Sequence, residues 1–181
     1  MMMEKDIEKV LYTPQQLKAV CDRVAAEINK EYMEKNIVAI CILKGSVVFF
    51  SELIRRLDCD CTLDFMAASS YGSSTQSSGK VNITKDITTN IKGRDVLIVE
   101  DILDTGNTLF YLKNYLSSFS PSSIRICTLF DKPDRRKADI KADFVGETIE
   151  NLFIVGYGLD YDEKYRNLPY VGILRPEIYI K

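Results

Sequence analysis

Residues 96–108 read VLIVEDILDTGNT, and the fold turns on how this stretch is understood. Four apolar residues, Val96 to Val99, run into Glu100 and Asp101, and Asp104 follows after two more apolar positions. Thr105, Gly106, Asn107 and Thr108 come next, and a helical pattern opens at Leu109. A buried strand tipped with carboxylates, a turn of small hydroxyl residues and a helix start suit a phosphate with a divalent metal. The strand holds its end rigidly, while the turn and helix start offer free backbone N–H groups to an anion. The acids would repel a phosphate unless a cation or a sugar hydroxyl stood between them. Glu100 and Asp101 therefore read as ligands of a hard cation, or as acceptors from a diol. Asp104, inside the turn, is the best-placed general base in a chain without histidine. Any one of these acids could instead be a charge favoured by a helix N-terminus. Three of them within five positions, followed by TGNT, are more than capping needs.

Outward from this stretch, the chain alternates strands and helices, the signature of an α/β fold with a central parallel twisted sheet flanked by helices. Toward the N-terminus, Thr13-Pro14-Gln15-Gln16 predicts an N-cap, a proline at the first helical position and a capping-box glutamine. Leu17, Val20, Cys21, Val24, Ala25, Ile28 and Tyr32 then share one helical face. Ile37 to Leu43 is apolar throughout, as in a parallel strand covered on both sides. Lys44-Gly45-Ser46 breaks that run, and Val47 to Leu57 reads as a helix. A strand at 61–67 leads into SSYGSSTQSSG (69–79), a serine-rich stretch expected to be an active-site lid at a strand's C-terminal end. Val81 to Ile83 is expected to form a short flanking ribbon. The central strand spans 95–100 in this reading, with its helix over 106–119. Strands at 124–130, 144–145, 153–155 and 170–174 complete the pattern, and DKPDRRK (131–137) is a charged excursion.

Composition narrows the class. The chain of 181 residues fits one domain, and 24 basic against 26 acidic residues give no overall field to gather nucleic acid or a membrane surface. No run is apolar enough to span a bilayer and MMMEKDIEKV lacks a signal core, so a cytoplasmic protein is expected. The five cysteines, mostly inside apolar runs, read as buried thiols. The lack of histidine excludes a His-containing zinc site and a His-based triad. Neither GxxxxGK[ST] nor GxGxxG is present.

VLIVEDILDTGNT resembles the phosphoribosyl-diphosphate signature of the type I phosphoribosyltransferases. Leu43-Lys44-Gly45, SSYGSSTQSSG, 129–136 and FIVGYGLDYDEKYRNLPY further resemble, in order and spacing, the bacterial hypoxanthine-guanine phosphoribosyltransferases. The resemblance runs from about Thr13 to Leu174. It implies a single domain of that fold with a small hood formed by the terminal segments, roughly 1–12 and 147–181. It also implies Mg2+, phosphoribosyl diphosphate with hypoxanthine or guanine as substrates, no nucleic-acid or membrane partner, and a homodimer or homotetramer.

Roles carry over residue by residue. By resemblance, Glu100 and Asp101 engage the ribose hydroxyls directly or through magnesium, and Asp104 is the base at purine N7. Residues 104–108, with the hydroxyls of Thr105 and Thr108, cradle the 5′-phosphate. Asn107 stands where relatives often carry lysine and is given no catalytic weight. Lys44 and Gly45 resemble the pyrophosphate turn, whose preceding peptide, here Leu43–Lys44, can be cis. Lys132 resembles the donor to the purine 6-oxo group, Phe153 the ring that stacks on the base, and Ile154 a backbone reader of the base edge. Asp160 resembles a further magnesium ligand and Arg166 the cation that neutralises the leaving group. Ser70 and Tyr71 belong to the lid. Periodicity alone would put Phe153 and Ile154 in the core, and Arg135, Arg136 and Lys137 read as solvated surface or an intersubunit patch. One departure is Glu147 to Asn151, which replaces an Ile-Pro-Asp type turn. Two other readings are a non-catalytic RNA-binding relative and a phosphoribosyltransferase for another base. The joint presence of Lys132, Phe153 and Asp160 argues against the first, and the Lys132–Phe153 pair against the second.

Overall fold

The computed structural model describes residues 2–70 and 81–180. The chain opens with β1 (Ile7–Tyr12) and α1 (Pro14–Glu31). The Thr13 side chain accepts from the Gln16 N–H at 3.3 Å, and the Gln16 side chain accepts from the Thr13 N–H at 2.9 Å, so the capping box forms as its sequence requires. After α1 come β2 (Asn36–Leu43), α2 (Val47–Ile54), β3 (Asp60–Ser70) and β4 (Val81–Lys85). The second half holds β5 (Asp95–Leu103), α3 (Asn107–Ser117), β6 (Ser123–Asp131) and β7 (Phe144–Thr148). Two short strands, β8 (Ile154–Val155) and β9 (Val171–Leu174), and a final turn of helix, α4 (Pro176–Tyr179), close it.

Six strands form one sheet in the order β4-β3-β2-β5-β6-β7, parallel except where β4 runs antiparallel to β3. Its strands are continuously apolar because both faces are covered. Ile37, Ala39 and Cys41 of β2 pack with Leu97 and Val99 of β5 beneath α1 and α2. Their neighbours Val38, Ile40, Val96 and Ile98 point the other way, onto Leu109, Leu112 and Leu116 of α3. The helix expected over 106–119 stops at Ser117, so Phe119 lies beyond the end of α3 and is exposed.

Strand order reverses between β2 and β5, which lie side by side. Neither crossover covers the crevice at their C-terminal ends, which is where ligands settle in open α/β sheets. The sequence places Lys44-Gly45 after β2 and Asp104 after β5, so both turns open into that crevice. A second, three-stranded antiparallel sheet, β1-β9-β8, joins the two terminal segments. Its Ile7, Val155, Tyr165, Leu168 and Leu174 form a separate small core.

The central strand is longer than its sequence suggests. β5 runs on to Leu103, so Glu100 and Asp101 lie within the ladder, paired through β6 as far as Leu103↔Asp131. Most of the serine-rich stretch, with Tyr71 and the side chain of Ser70, lies outside the described residues.

Candidate active site

Alternation along β5 decides what each acid sees. Glu100 lines a cleft of about 230 Å3 together with Thr105, Gly106 and Thr108. Asp101 lines a larger cleft of about 590 Å3 with Gly45, Lys132, Phe153, Asp160 and Arg166. Asp104 and Ile102 line both, so Asp104 stands where the two clefts meet.

The smaller cleft is built by the turn into α3. Gly106 is the N-cap, with φ 83°, a left-handed conformation that few side chains adopt. It makes no side-chain cap bond, which leaves the first-turn N–H groups open to an anion. A Cβ here would also press on Ile140 at 2.6 Å and on Arg136 at 3.0 Å. The loop after β6 is bonded to this turn: Lys137 and Ala138 donate their N–H to the Thr105 carbonyl at 2.9 and 3.2 Å.

Arg136 is half-enclosed rather than a solvated surface residue. Its guanidinium donates to the Leu103 carbonyl at 3.0 Å, to the Asp104 carbonyl, and to the Asp131 carboxylate. Arg135 pairs with Asp104, its Nε lying 3.0 Å from Oδ1, and it lines the larger cleft. The surface reading fails for Arg136, which the loop folds back onto β5, whereas Arg135 is exposed as expected although paired.

In the larger cleft, Lys132 is only 7% exposed. Its Nζ donates to the Leu152 carbonyl at 2.6 Å, next to Phe153. Burial lowers its pKa, while the charge of Asp104 acts to raise it. Phe153, far from being core, is 37% exposed, and its ring stacks on Tyr179 at 4.4 Å between centroids. The strand β8 begins only after it, so the ring is free to face the cleft, while Ile154 turns inward and is buried.

The turns at Gly45 and Gly158 are tightly fitted. A Cβ on Gly45 would collide with the Asp101 carboxylate, and one on Gly158 with the Gly45 carbonyl, so both glycines allow the close approach of the turns. The Leu43–Lys44 peptide is cis. Arg166 donates to the Gly158 carbonyl at 2.8 Å and pairs with Asp160 at 2.8 Å. Its Nε is buried without a partner among the described residues, as is one carboxylate oxygen of Glu100.

Burial and their closeness to each other set the electrostatics of the two strand acids. Burial, then the neighbouring Asp101, raises the Glu100 carboxyl well above the usual range. Burial raises Asp101 to about 6, against the Ile102 N–H and Arg166, which both favour its charged form. Among the described residues no three acidic, Cys or His side chains gather into a ready-made cage. That suits a metal held by one or two carboxylates and by the substrate's own oxygens.

A stability test follows. Both carboxyls hold protons more tightly folded than unfolded, so their stabilising effect is present at low pH and is lost as pH rises, through about 6 for Asp101. Glu100→Gln is therefore expected to raise the unfolding temperature of metal-free protein at pH 8 by a few degrees, on a scale of about 2–4 °C per kcal/mol. A calorimetric scan showing no rise would remove the charge conflict.

Of the residues singled out from sequence, Gly45, Asp101, Asp104, Lys132, Phe153, Ile154, Asp160 and Arg166 meet in the larger cleft, and Glu100, Thr105, Gly106 and Thr108 in the smaller. Lys44 and Asn107 are exposed and line neither. Ile102, Arg135 and Tyr179 were not anticipated. Ile102 could have been found by alternation within the signature, whereas nothing local marks Tyr179.

The phosphoribosyl transferase domain family matches residues 9–162. A hypoxanthine-guanine phosphoribosyltransferase of Streptococcus thermophilus (strain CNRZ 1066) is 52% identical over 180 residues, covering 99% of this chain and 100% of that protein. One from Bacillus subtilis (strain 168) is 51% identical over 178 residues, 98% and 99% of the two chains. The crystal structure of a hypoxanthine phosphoribosyltransferase from Staphylococcus aureus superimposes with a TM-score of 0.96 at 48% identity, covering 100% of this chain and 98% of that one. With the carboxylate-tipped strand, the phosphate turn and the lysine–phenylalanine cleft assembled at one crevice, the chain belongs to the type I phosphoribosyltransferase family, among its bacterial hypoxanthine-guanine members.

Proposed function

We propose that the protein is a purine-salvage enzyme. It transfers the 5-phosphoribosyl group from 5-phospho-α-D-ribose 1-diphosphate to N9 of hypoxanthine or guanine, giving IMP or GMP and diphosphate. The observation that carries this reading is the position of Asp104, shared by the cleft of the phosphate turn and the cleft of Lys132 and Phe153. A base at that junction can reach the purine while the sugar phosphate is held beside it.

The 5′-phosphate sits on the N–H groups and hydroxyls of 104–108, where the first turn of α3 favours an anion. Glu100 and Asp101 hold the ribose hydroxyls, which supply the partner that the raised carboxyls lack. Lys44 and Arg166 spread the charge of the departing diphosphate as the anomeric carbon develops oxocarbenium character. Phe153 stacks on the purine, and the Ile154 backbone reads its edge. Lys132 donates to the 6-oxo group, and Asp104 takes or shares the N7 proton while N9 attacks with inversion. Mg2+ held mainly by the substrate's own oxygens, with no more than one or two of Glu100, Asp101 and Asp160 at a time, would supply further charge neutralisation at the diphosphate.

The same reading makes the β1-β9-β8 sheet a hood on one domain, with the base seated beneath it. It also carries a cytoplasmic homodimer or homotetramer, and the five free cysteines fit a reducing compartment.

A spectrophotometric assay of four purines, each with the donor and magnesium, tests the assignment. Turnover is expected with hypoxanthine and guanine, weaker with xanthine, and lower by about 10⁴ in kcat/KM with adenine. Comparable use of adenine, or no turnover with any purine, would sink the reading.

A further inference from the structure

The turn after β8 holds a carboxylate between the two cations assigned to the leaving group. Glu163 Oε2 accepts from Lys44 Nζ at 3.0 Å, and Oε1 lies 3.6 Å from Arg166 Nη2. This contact is presented by ordered backbone. Asp160 accepts the Glu163 N–H at 2.9 Å, and the main chains of Tyr161 and Lys164 are bonded to each other at 3.3 and 3.0 Å. Glu163 itself takes a left-handed conformation, φ 60°. On the facing side, the close approach of Gly158 to the Gly45 carbonyl sets this turn against the Lys44–Gly45 turn.

The Lys44 and Glu163 side chains are 69% and 65% exposed, so the pair contributes little to folding. Its location is the informative part, because the same ammonium and guanidinium are offered to an anion of higher charge. Lys44 first, then Arg166, holds the Glu163 carboxyl below its ordinary range, so it stays an anion at neutral pH.

We propose that Glu163 is an internal stand-in for diphosphate, its carboxylate competing with the diphosphate of donor and product for Lys44 and Arg166. Diphosphate displaces it by virtue of its larger charge. On departure of the product the carboxylate returns to Lys44, so that ammonium, like Arg166 with its Asp160, does not pass through an unpaired state and release is eased. This inference rests on the assignment of Lys44 and Arg166 to the diphosphate.

Calorimetric titration with inorganic diphosphate in magnesium buffer tests it, using the wild type, Glu163→Gln, Lys44→Ala and the double variant. Glu163→Gln is expected to tighten diphosphate by about two- to fivefold, the scale of an exposed ion pair. That gain should shrink in the Lys44→Ala background, since the two side chains act through one contact. If Lys44→Ala weakens binding but Glu163→Gln leaves it unchanged or weaker, the inference is overturned and the cation assignment stands. A gain that persists undiminished without Lys44 overturns it as well. If Lys44→Ala has no effect, the cation assignment fails and the inference fails with it.

Discussion

Asp104→Asn is expected to lower turnover of hypoxanthine by about 10² to 10⁴ while leaving donor binding largely intact. Among the described residues the carboxylate is the one ionisable side chain common to the smaller and the larger cleft. Asparagine keeps an oxygen that can accept from Arg135, which now meets Oδ1 at 3.0 Å, so the turn need not move. What disappears is the capacity to take a proton from N7. Single-turnover rates should fall with kcat, whereas KM for the donor should hardly change. Unchanged turnover would remove Asp104 as the base, and a matching loss of donor affinity would make it a phosphate-turn residue instead.

Lys132→Ala is expected to abolish most of the preference for 6-oxopurines, narrowing the hypoxanthine-to-adenine ratio of kcat/KM by about 10² to 10⁴. The lysine is buried, and its ammonium is directed along the cleft by the Leu152 carbonyl at 2.6 Å. A fixed donor welcomes the oxo acceptor and opposes the amino donor of adenine. Alanine leaves that position without a hydrogen-bonding group, so the loss should fall on hypoxanthine and guanine. Equal losses for hypoxanthine and adenine would contradict a role in selection and point to general damage of the cleft. Circular dichroism and thermal unfolding of the variant would show whether such damage occurred.

Tyr179 joins the larger cleft in a way that local sequence gives no means of seeing. Its ring lies parallel to Phe153, 18° between planes, and Tyr161 meets Phe153 edge-on at 5.6 Å. The helix turn that carries it is held to the other terminus, where Arg175 donates its N–H to Asp6 and its Nε to Lys5, both at 2.9 Å. Two ends of the chain therefore have to meet before Tyr179 lies against the Phe153 ring.

Much of the rest was legible in one dimension. Continuous apolar runs at Ile37 to Leu43 and Val96 to Val99 could only be strands covered on both faces, and the Thr13 capping box set the start of α1. The carboxylate-tipped strand and its glycine turn disclosed a sugar phosphate through local chemistry, since charge, hydroxyls and a helix start lie within thirteen residues. Other properties required distant segments. Phe153 looked like core because its neighbours are apolar, and only the late start of β8 turned it toward the cleft. Arg136 looked like solvated charge because its partners, Leu103, Asp104 and Asp131, are supplied by the end of β5, the turn after it and the end of β6.

The sequence by itself determined the layered α/β fold, the phosphate turn and the identity of the acids, because each depends on side-chain period and on neighbours along the chain. Tertiary structure alone decided that Glu100 and Asp101 line different clefts, that Asp104 stands between them, and that Lys44 is paired with Glu163. Those outcomes depend on which strands lie adjacent at the reversal of the sheet, and no local pattern of residues encodes that adjacency.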